Sequence, residues 1–324
     1  MIKAYIVEND RLRPVEDLLS CREKVVWADL FEPTKDEEAM IEAWIGVDIP
    51  TREEMEEIEI SSRLYTENEA FFMTATLASR TETDRPVMSP VTFVLAKGRL
   101  VTVRYSEPSA FKTFPMRAEK IDTGCTSGEM VLVGLLDAII DRLADVLERA
   151  SGEIIEISHD IFHPGAKNAS KRDRNFRVLL RRIGSKESLI SNLQDSLLTL
   201  RRVSSFFGQV NMPKGSEQEL RARVKTLSRD VSSLADHATS LSQKIIFLLD
   251  ATLGMIGIEQ NGIIKIVSVA ALVFLPPTLV ASIYGMNFRV MPELEWLLGY
   301  PFALALMVIS AVLPFWFFKR RGWL

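Results

Sequence analysis

The chain has 324 residues and a net charge of −4, with 39 Lys and Arg against 43 Asp and Glu. That balance disfavours a nucleic-acid partner, and two cysteines, Cys21 and Cys125, supply neither a disulfide framework nor thiolate metal-ligand spacing. No Walker-type glycine loop and no Ser-His-Asp or Cys-His arrangement is present, so no nucleotide partner and no enzyme activity are expected.

The amino terminus, Met1-Ile2-Lys3-Ala4-Tyr5, lacks the apolar core of a secretory signal. Residues 1–125 mix two periodicities and predict an α/β domain. Ala4-Tyr5-Ile6-Val7, Val91-Thr92-Phe93-Val94-Leu95 and Leu100-Val101-Thr102-Val103 read as strands, and Ala96-Lys97-Gly98-Arg99 as a hairpin turn between the last two. Thr34, with Glu37 three residues on, predicts a capped helix start.

Residues 126–262 predict an antiparallel helix pair, 128–161 and 173–207, turned at Pro164-Gly165, and then a very long stalk helix. His159 and His163 have a metal-compatible spacing, but Pro164 ends that helix and no third ligand lies near in sequence. From Leu220, the positions Val224, Leu227, Val231, Leu234, Ala238, Leu241, Ile245 and Leu248 advance in alternating steps of four and three. That is a heptad seam, serving either a coiled-coil stalk or the apolar face of a bundle helix. No proline falls between 216 and Pro276, which predicts one continuous helix of about 60 residues, about 90 Å long. Gly254, Gly257 and Gly262 are its weak points, at about 1 kcal/mol each.

Residues 263–324 predict a two-helix transmembrane domain with a basic tail. The runs 266–288 and 296–318 hold no charge, and each exceeds the ~20 residues that cross a bilayer. Lys265 and Lys319-Arg320-Arg321 flank the pair, against Arg289 alone in the connection, which predicts both termini in the cytoplasm. Trp296, Trp316 and Trp323 lie near span ends, where aromatic belts meet lipid. The part after 262 is net +3, so residues 1–262 carry −7.

Two spans cannot enclose a water path, so conduction requires several copies around an axis. The first span is the better liner. Asn261, Ile264, Val267, Ala271, Leu275, Thr278 and Ser282 form a helical stripe that is polar at both ends and apolar in the middle. In the second span Ser310 stands almost alone. The first span closes on Gly285-Met286-Asn287. A ring of Asn287 amides would accept hydrogen bonds from a hydrated cation and still release it, whereas a carboxylate ring would hold a divalent ion more tightly. As a local feature, Asn287 would also suit a helix C-cap.

Tyr284-Gly285-Met286-Asn287, with Glu259-Gln260-Asn261, Phe274-Leu275-Pro276-Pro277-Thr278-Leu279, Met291-Pro292-Glu293-Leu294 and the Lys319-Arg320-Arg321-Gly322-Trp323-Leu324 ending, resembles the CorA family of divalent-cation channels. The close resemblance covers about residues 258–324; upstream only the order of parts is similar. It implies a homo-oligomer, pentameric, in the inner membrane, passing Mg²⁺ passively and closing when cytoplasmic Mg²⁺ bridges neighbouring subunits. It implies a selectivity filter at Gly285, Met286 and Asn287, hydrated-ion contacts at Asn261 and Thr278, and an apolar gate at Ile264, Val267 and Leu275. Pro276-Pro277 would bend the helix at that gate, as a fixed kink or a hinge.

The sensing carboxylates are not fixed by the resemblance; Asp230 and Asp236 on the stalk are candidates among many exposed acids. Two features depart from the family's pattern. Arg289 and Glu295 exchange the signs usual in the outer loop, and the helix-pair tip carries Lys167, Lys171, Arg172 and Arg174 where relatives tend to be acidic. The rivals are a carrier of Zn²⁺, Co²⁺ or Ni²⁺, and a membrane-anchored coiled-coil scaffold without flux.

Overall fold

The computed structural model describes residues 1–324 apart from 17, 19, 84–85, 122–123, 164–168, 210–216, 288–290, 293–295 and 323–324, and apart from the side chains of 169–174 and 217. The Pro164-Gly165 turn, the basic tip, Arg289 and Glu293-Leu294-Glu295 therefore lie outside the described residues or side chains. The chain divides into two compact units. One holds Met1–His163 with Val178–Leu249, the other Pro164–Arg177 with Asp250–Leu324.

The first unit is built on a seven-stranded mixed sheet. Its strands are β1 (Ile2–Glu8), β2 (Arg11–Val15), β3 (Val25–Phe31), β4 (Leu64–Glu67), β5 (Ala70–Ser79), β6 (Val87–Ala96) and β7 (Arg99–Arg104), in the order β2-β1-β3-β7-β6-β5-β4. Only β3 and β7 run parallel. The β6–β7 hairpin pairs Ala96 with Arg99, so Lys97-Gly98 is a two-residue turn. Both turn residues have positive φ, 52° and 73°, the combination that matches the twist of the strands.

Strand alternation gives the sheet two different faces. One presents Ala4, Ile6, Ala28, Leu30, Phe72, Val94, Val101 and Val103 to α1 (Lys35–Ile45) and α2 (Arg52–Glu56). Both helices start with complete capping boxes, Thr34 with Glu37 and Thr51 with Glu54. The short α3 (Ile60–Arg63) leads into β4.

The opposite face presents Tyr5, Trp27 and Phe93 to α4 (Ala110–Lys120), with Trp27 against Phe114 at 5.9 Å and Phe93 against Phe111 at 6.5 Å. A polar chain runs through it. Trp27 Nε1 donates to Thr102 Oγ1 (3.1 Å), Thr102 Oγ1 donates to Asp29 Oδ1 (2.8 Å), and Arg104 Nη2 donates to Asp29 Oδ2 (2.9 Å). Asp29 and Arg104 are each 2% exposed, and the guanidinium lies 4.6 and 4.9 Å from the ring centres of Phe31 and Phe111. Burial, reinforced by the nearby Asp29 charge, pushes the Tyr5 phenol up to about 12.

Three long helices follow: α5 (Gly128–Phe162), α6 (Ala169–Gln209) and α7 (Glu217–Tyr284). The first two realise the predicted helix pair, tied by Arg182 to Asp160 (2.9 Å) and Lys186 to Glu153 (2.5 Å). α5 starts hard against the sheet. Gly128 N donates to Gly98 O (2.8 Å), and a Cβ at 128 would stand 2.7 Å from backbone atoms of Gly98, Arg99 and Leu100. Gly128→Ala is expected to cost about 1–3 kcal/mol through this overlap, read as a lower melting temperature. Beyond β4, the exposed flank of β5 is closed by α6. Thr199 Oγ1 accepts from Thr76 N and Ser196 Oγ from Ala78 N, both at 3.1 Å, which satisfies an otherwise open sheet edge.

α7 is one helix of 68 residues and passes unbroken through Pro276 and Pro277. The helix runs on into the first apolar run as far as Tyr284, and the seam is the apolar face of a bundle helix. Leu220, Val224, Leu227, Val231, Ala238, Leu241, Ile245 and Leu248 are buried by the chain itself, with Leu234 half-buried. α8 (Gly299–Arg320) is the second apolar helix. Only 6% of each apolar stretch is buried within the chain, as expected for a lipid-facing helix rather than a soluble core.

Candidate ion pathway

The predicted lining residues fall in the second unit. In α7, exposure falls along Val269, Val273, Pro276, Pro277, Val280 and Tyr284; in α8 it falls along Ala303, Met307, Ser310, Ala311, Pro314 and Phe318. Each set is one helical stripe, the pattern that mutual packing of two helices produces. Ser310 belongs to this packed stripe, and its hydroxyl is used on Met307 O (2.9 Å).

The predicted lining residues lie elsewhere on α7. Ala271, Leu275, Thr278 and Ser282 each follow a packed position by one or two residues, about 100–200° around the helix. Asn261, Ile264, Val267, Ala271, Leu275, Thr278 and Ser282 are all exposed in the single chain, Leu275 at 64%. The structure thus sets the seven side chains on a common exposed face of α7, opposite the stripe of lower exposure.

The chemistry of that face suits a hydrated cation. Thr278 Oγ1 donates to Phe274 O (2.7 Å), so its outward lone pair is an acceptor for a proton of ion-bound water. Pro276 and Pro277 have no N–H, which releases the carbonyls of Leu272 and Val273 from their usual helical donors. At the helix end, Gly285 N bonds Ala281 O (2.9 Å) and Met286 N reaches Ile283 O (3.3 Å). Asn287 follows, exposed, and its backbone is outside the left-handed region. The local C-cap alternative for Asn287 is therefore not the one adopted. Its amide has no hydrogen-bond partner among the described residues and remains available for a ligand. Of the outer loop, Met291 and Pro292 are described; Glu293 and Leu294 are not.

Asp230 and Asp236 are exposed on α7, and they do not meet in one chain. Among the described residues no group of three or more His, Cys, Asp or Glu side chains converges to hold a metal. His159 and His163 accordingly stack, ring centres 4.7 Å apart, without a third ligand. Asp230 lines a cavity of about 300 Å³ with Asp137, Asp141, Arg117 and Arg223. Sequence reasoning missed this group; the Asp137/Asp141 pair, four apart on α5, was its visible signal.

Arg223 Nη2 donates to Asp137 Oδ2 (3.3 Å), yet burial outweighs that partner and raises the Asp137 carboxyl, with Asp141 and Asp230 adding to the rise. A raised carboxyl favours the folded state at low pH, and that contribution is lost as pH climbs from 3.8 through the folded value. Asp137→Asn is expected to melt above the parent at pH 7, with the difference shrinking as pH approaches 3.8. Thermal melts at the two pH values check it; a constant difference contradicts it.

A mixed-sheet domain, a helix running on into an apolar span, a second short apolar helix, and a polar-ended stripe define a two-span membrane transporter. The family model for the CorA-like Mg2+ transporter protein matches residues 22–320. The chain is 34% identical over 325 residues to the "Magnesium transport protein CorA" of Pasteurella multocida, and 35% identical to that of Escherichia coli K12, covering 100% of both chains in each case. Its fold matches the complete CorA magnesium transporter structure from Methanocaldococcus jannaschii with a TM-score of 0.77, at 18% identity, over 100% of this chain and 99% of the other. The chain belongs to the CorA family, whose members are ion transporters and not enzymes.

Proposed function

We propose that copies of this chain surround an axis, five by family resemblance, and pass Mg²⁺ inward through a path lined by α7. The single observation that carries this reading is the exposed polar-ended stripe of α7, closing on the amide of Asn287, which has no partner among the described residues. Gly285, Met286 and Asn287 form the filter. Asn261 and Thr278 contact the hydrated ion, and Ile264, Val267 and Leu275 form a dewetting constriction. Ala271 and Ser282 line the wall between these features. The outer loop, Met291-Pro292-Glu293-Leu294, flanks the mouth.

Mg²⁺ holds its water shell strongly, so recognition through water by neutral amides permits selection with release. The chain lies in the inner membrane with both termini in the cytoplasm. An interior-negative potential drives uptake by about 2.3 kcal/mol per charge per 100 mV, twice that for a divalent ion. Cytoplasmic Mg²⁺ is also the regulator. It bridges carboxylates of neighbouring copies, and Asp230 and Asp236 are the candidates on the stalk.

Mg²⁺ flux into proteoliposomes, with Co²⁺, Ni²⁺ and Zn²⁺ as competitors, tests this reading. Flux that follows the imposed potential and resists competition supports it. Preference for a competitor assigns another cargo, and absence of flux assigns a scaffold.

A further inference from the structure

α8 closes on three consecutive cations, Lys319, Arg320 and Arg321, all exposed. Its opposite end, from Trp296 to Tyr300, carries none. The sequence holds no Asp or Glu after Glu295, and the three cations have no ion-pair partner among the described residues. A helix of 22 residues is about 33 Å long, against about 30 Å of bilayer hydrocarbon. The last turn of α8 therefore lies where hydrocarbon gives way to headgroups.

Two ordinary causes place cations at such an end: the negative pole of the helix dipole, and the excess of Lys and Arg on the cytoplasmic side of a span. Neither asks the charges to stay near the apolar run. Side chains leave a helix pointing toward its N-terminus, and a snorkelling chain turns back from that direction to put its charge in water. Here the guanidinium of Arg320 lies 3.8 Å from the ring centre of Trp316, and that of Arg321 5.5 Å from that of Phe317. Each ring stands one turn back toward the apolar run, so both guanidiniums are held over the last turn of the span. A guanidinium stacked on a ring keeps its N–H edge free, and that edge matches two oxygens of one phosphate. Charges held at this depth lose part of their water, and the phosphates of the headgroup layer lie at the same level to replace it. A headgroup with its own ammonium cancels much of that attraction; one of net negative charge keeps it.

We propose that the end of α8 binds the phosphate of an anionic phospholipid, contacted by Arg320 and Arg321, with Lys319 adding charge and Trp316 positioning Arg320. The inference is independent of the ion pathway and rests only on α8 crossing the bilayer.

The test is native mass spectrometry of the full-length protein in detergent, titrated with phosphatidylglycerol and, separately, with phosphatidylcholine of the same acyl chains. Phosphatidylglycerol is expected to bind at least about fivefold more tightly. Arg320→Gln with Arg321→Gln should remove that preference. Trp316→Leu keeps every charge and should weaken the preference by releasing Arg320; it decides the matter if the double Gln variant does not fold. Glycerol 3-phosphate in excess should not displace the lipid. Equal binding of the two lipids overturns the proposal, as does a preference unchanged in either variant. Displacement by glycerol 3-phosphate would assign the site to a soluble phosphate and overturns it as well.

Discussion

Asn287→Ala is expected to lower Mg²⁺ flux into proteoliposomes at least about tenfold while leaving assembly and melting temperature unchanged. Each amide contributes a hydrogen bond of about 0.5–1.5 kcal/mol to the water shell of the ion, and symmetry repeats that contribution in every copy. The side chain is exposed and holds no partner within the described chain, so its removal leaves the fold intact. Asn287→Asp separates position from charge. A carboxylate ring should bind a divalent ion more tightly and slow its release, so flux falls while the inhibitory affinity for competing divalent ions rises. Full flux and unaltered selectivity in Asn287→Ala would remove the filter assignment.

The largest effect on stability is expected at the buried pair. Arg104→Ala leaves Asp29 charged and unpaired at 2% exposure, which costs about 3–5 kcal/mol. The loss is compounded because the guanidinium also bonds Ser106 O (2.9 Å) and packs between Phe31 and Phe111. Thermal unfolding of the full chain should shift down by about 10 °C. Asp29→Leu combined with Arg104→Met removes both charges and should recover a large part of that loss, because the ion pair's desolvation cost disappears with it. A double variant as unstable as Arg104→Ala would instead make the polar chain from Trp27 to Arg104 the dominant contribution.

The two kinds of site differ in how far they can be read from sequence. The capping box at Thr34, the Lys97-Gly98 turn and the continuous helix to Tyr284 follow from local chemistry, which a single sequence carries in full. The same holds for the stripe from Asn261 to Ser282, because helical spacing alone puts those residues on one face. The stripe of Val269, Val273 and Val280 is equally periodic, and only its lower exposure in the folded chain distinguishes it from the lining stripe. Pairing of Asp29 with Arg104 joins residues from two strands far apart in sequence, and no local pattern announces it. The heptad seam was legible as apolar but silent about what covers it, since a bundle and a coiled coil ask for the same spacing.

Thiol accessibility along α7 tests the axis-facing assignment most directly. Single cysteines at Thr278, Ser282, Val273 and Val280 would be placed in a Cys21→Ser, Cys125→Ser background of the full-length assembly and exposed to a small charged thiol reagent. Thr278→Cys and Ser282→Cys should be modified rapidly and lose flux on modification, with Mg²⁺ slowing the reaction. Val273→Cys and Val280→Cys, on the less exposed face of α7, should stay unmodified. Fast labelling at Val273 and Val280 with protection at Thr278 and Ser282 would mean that the other face of α7 meets the water path.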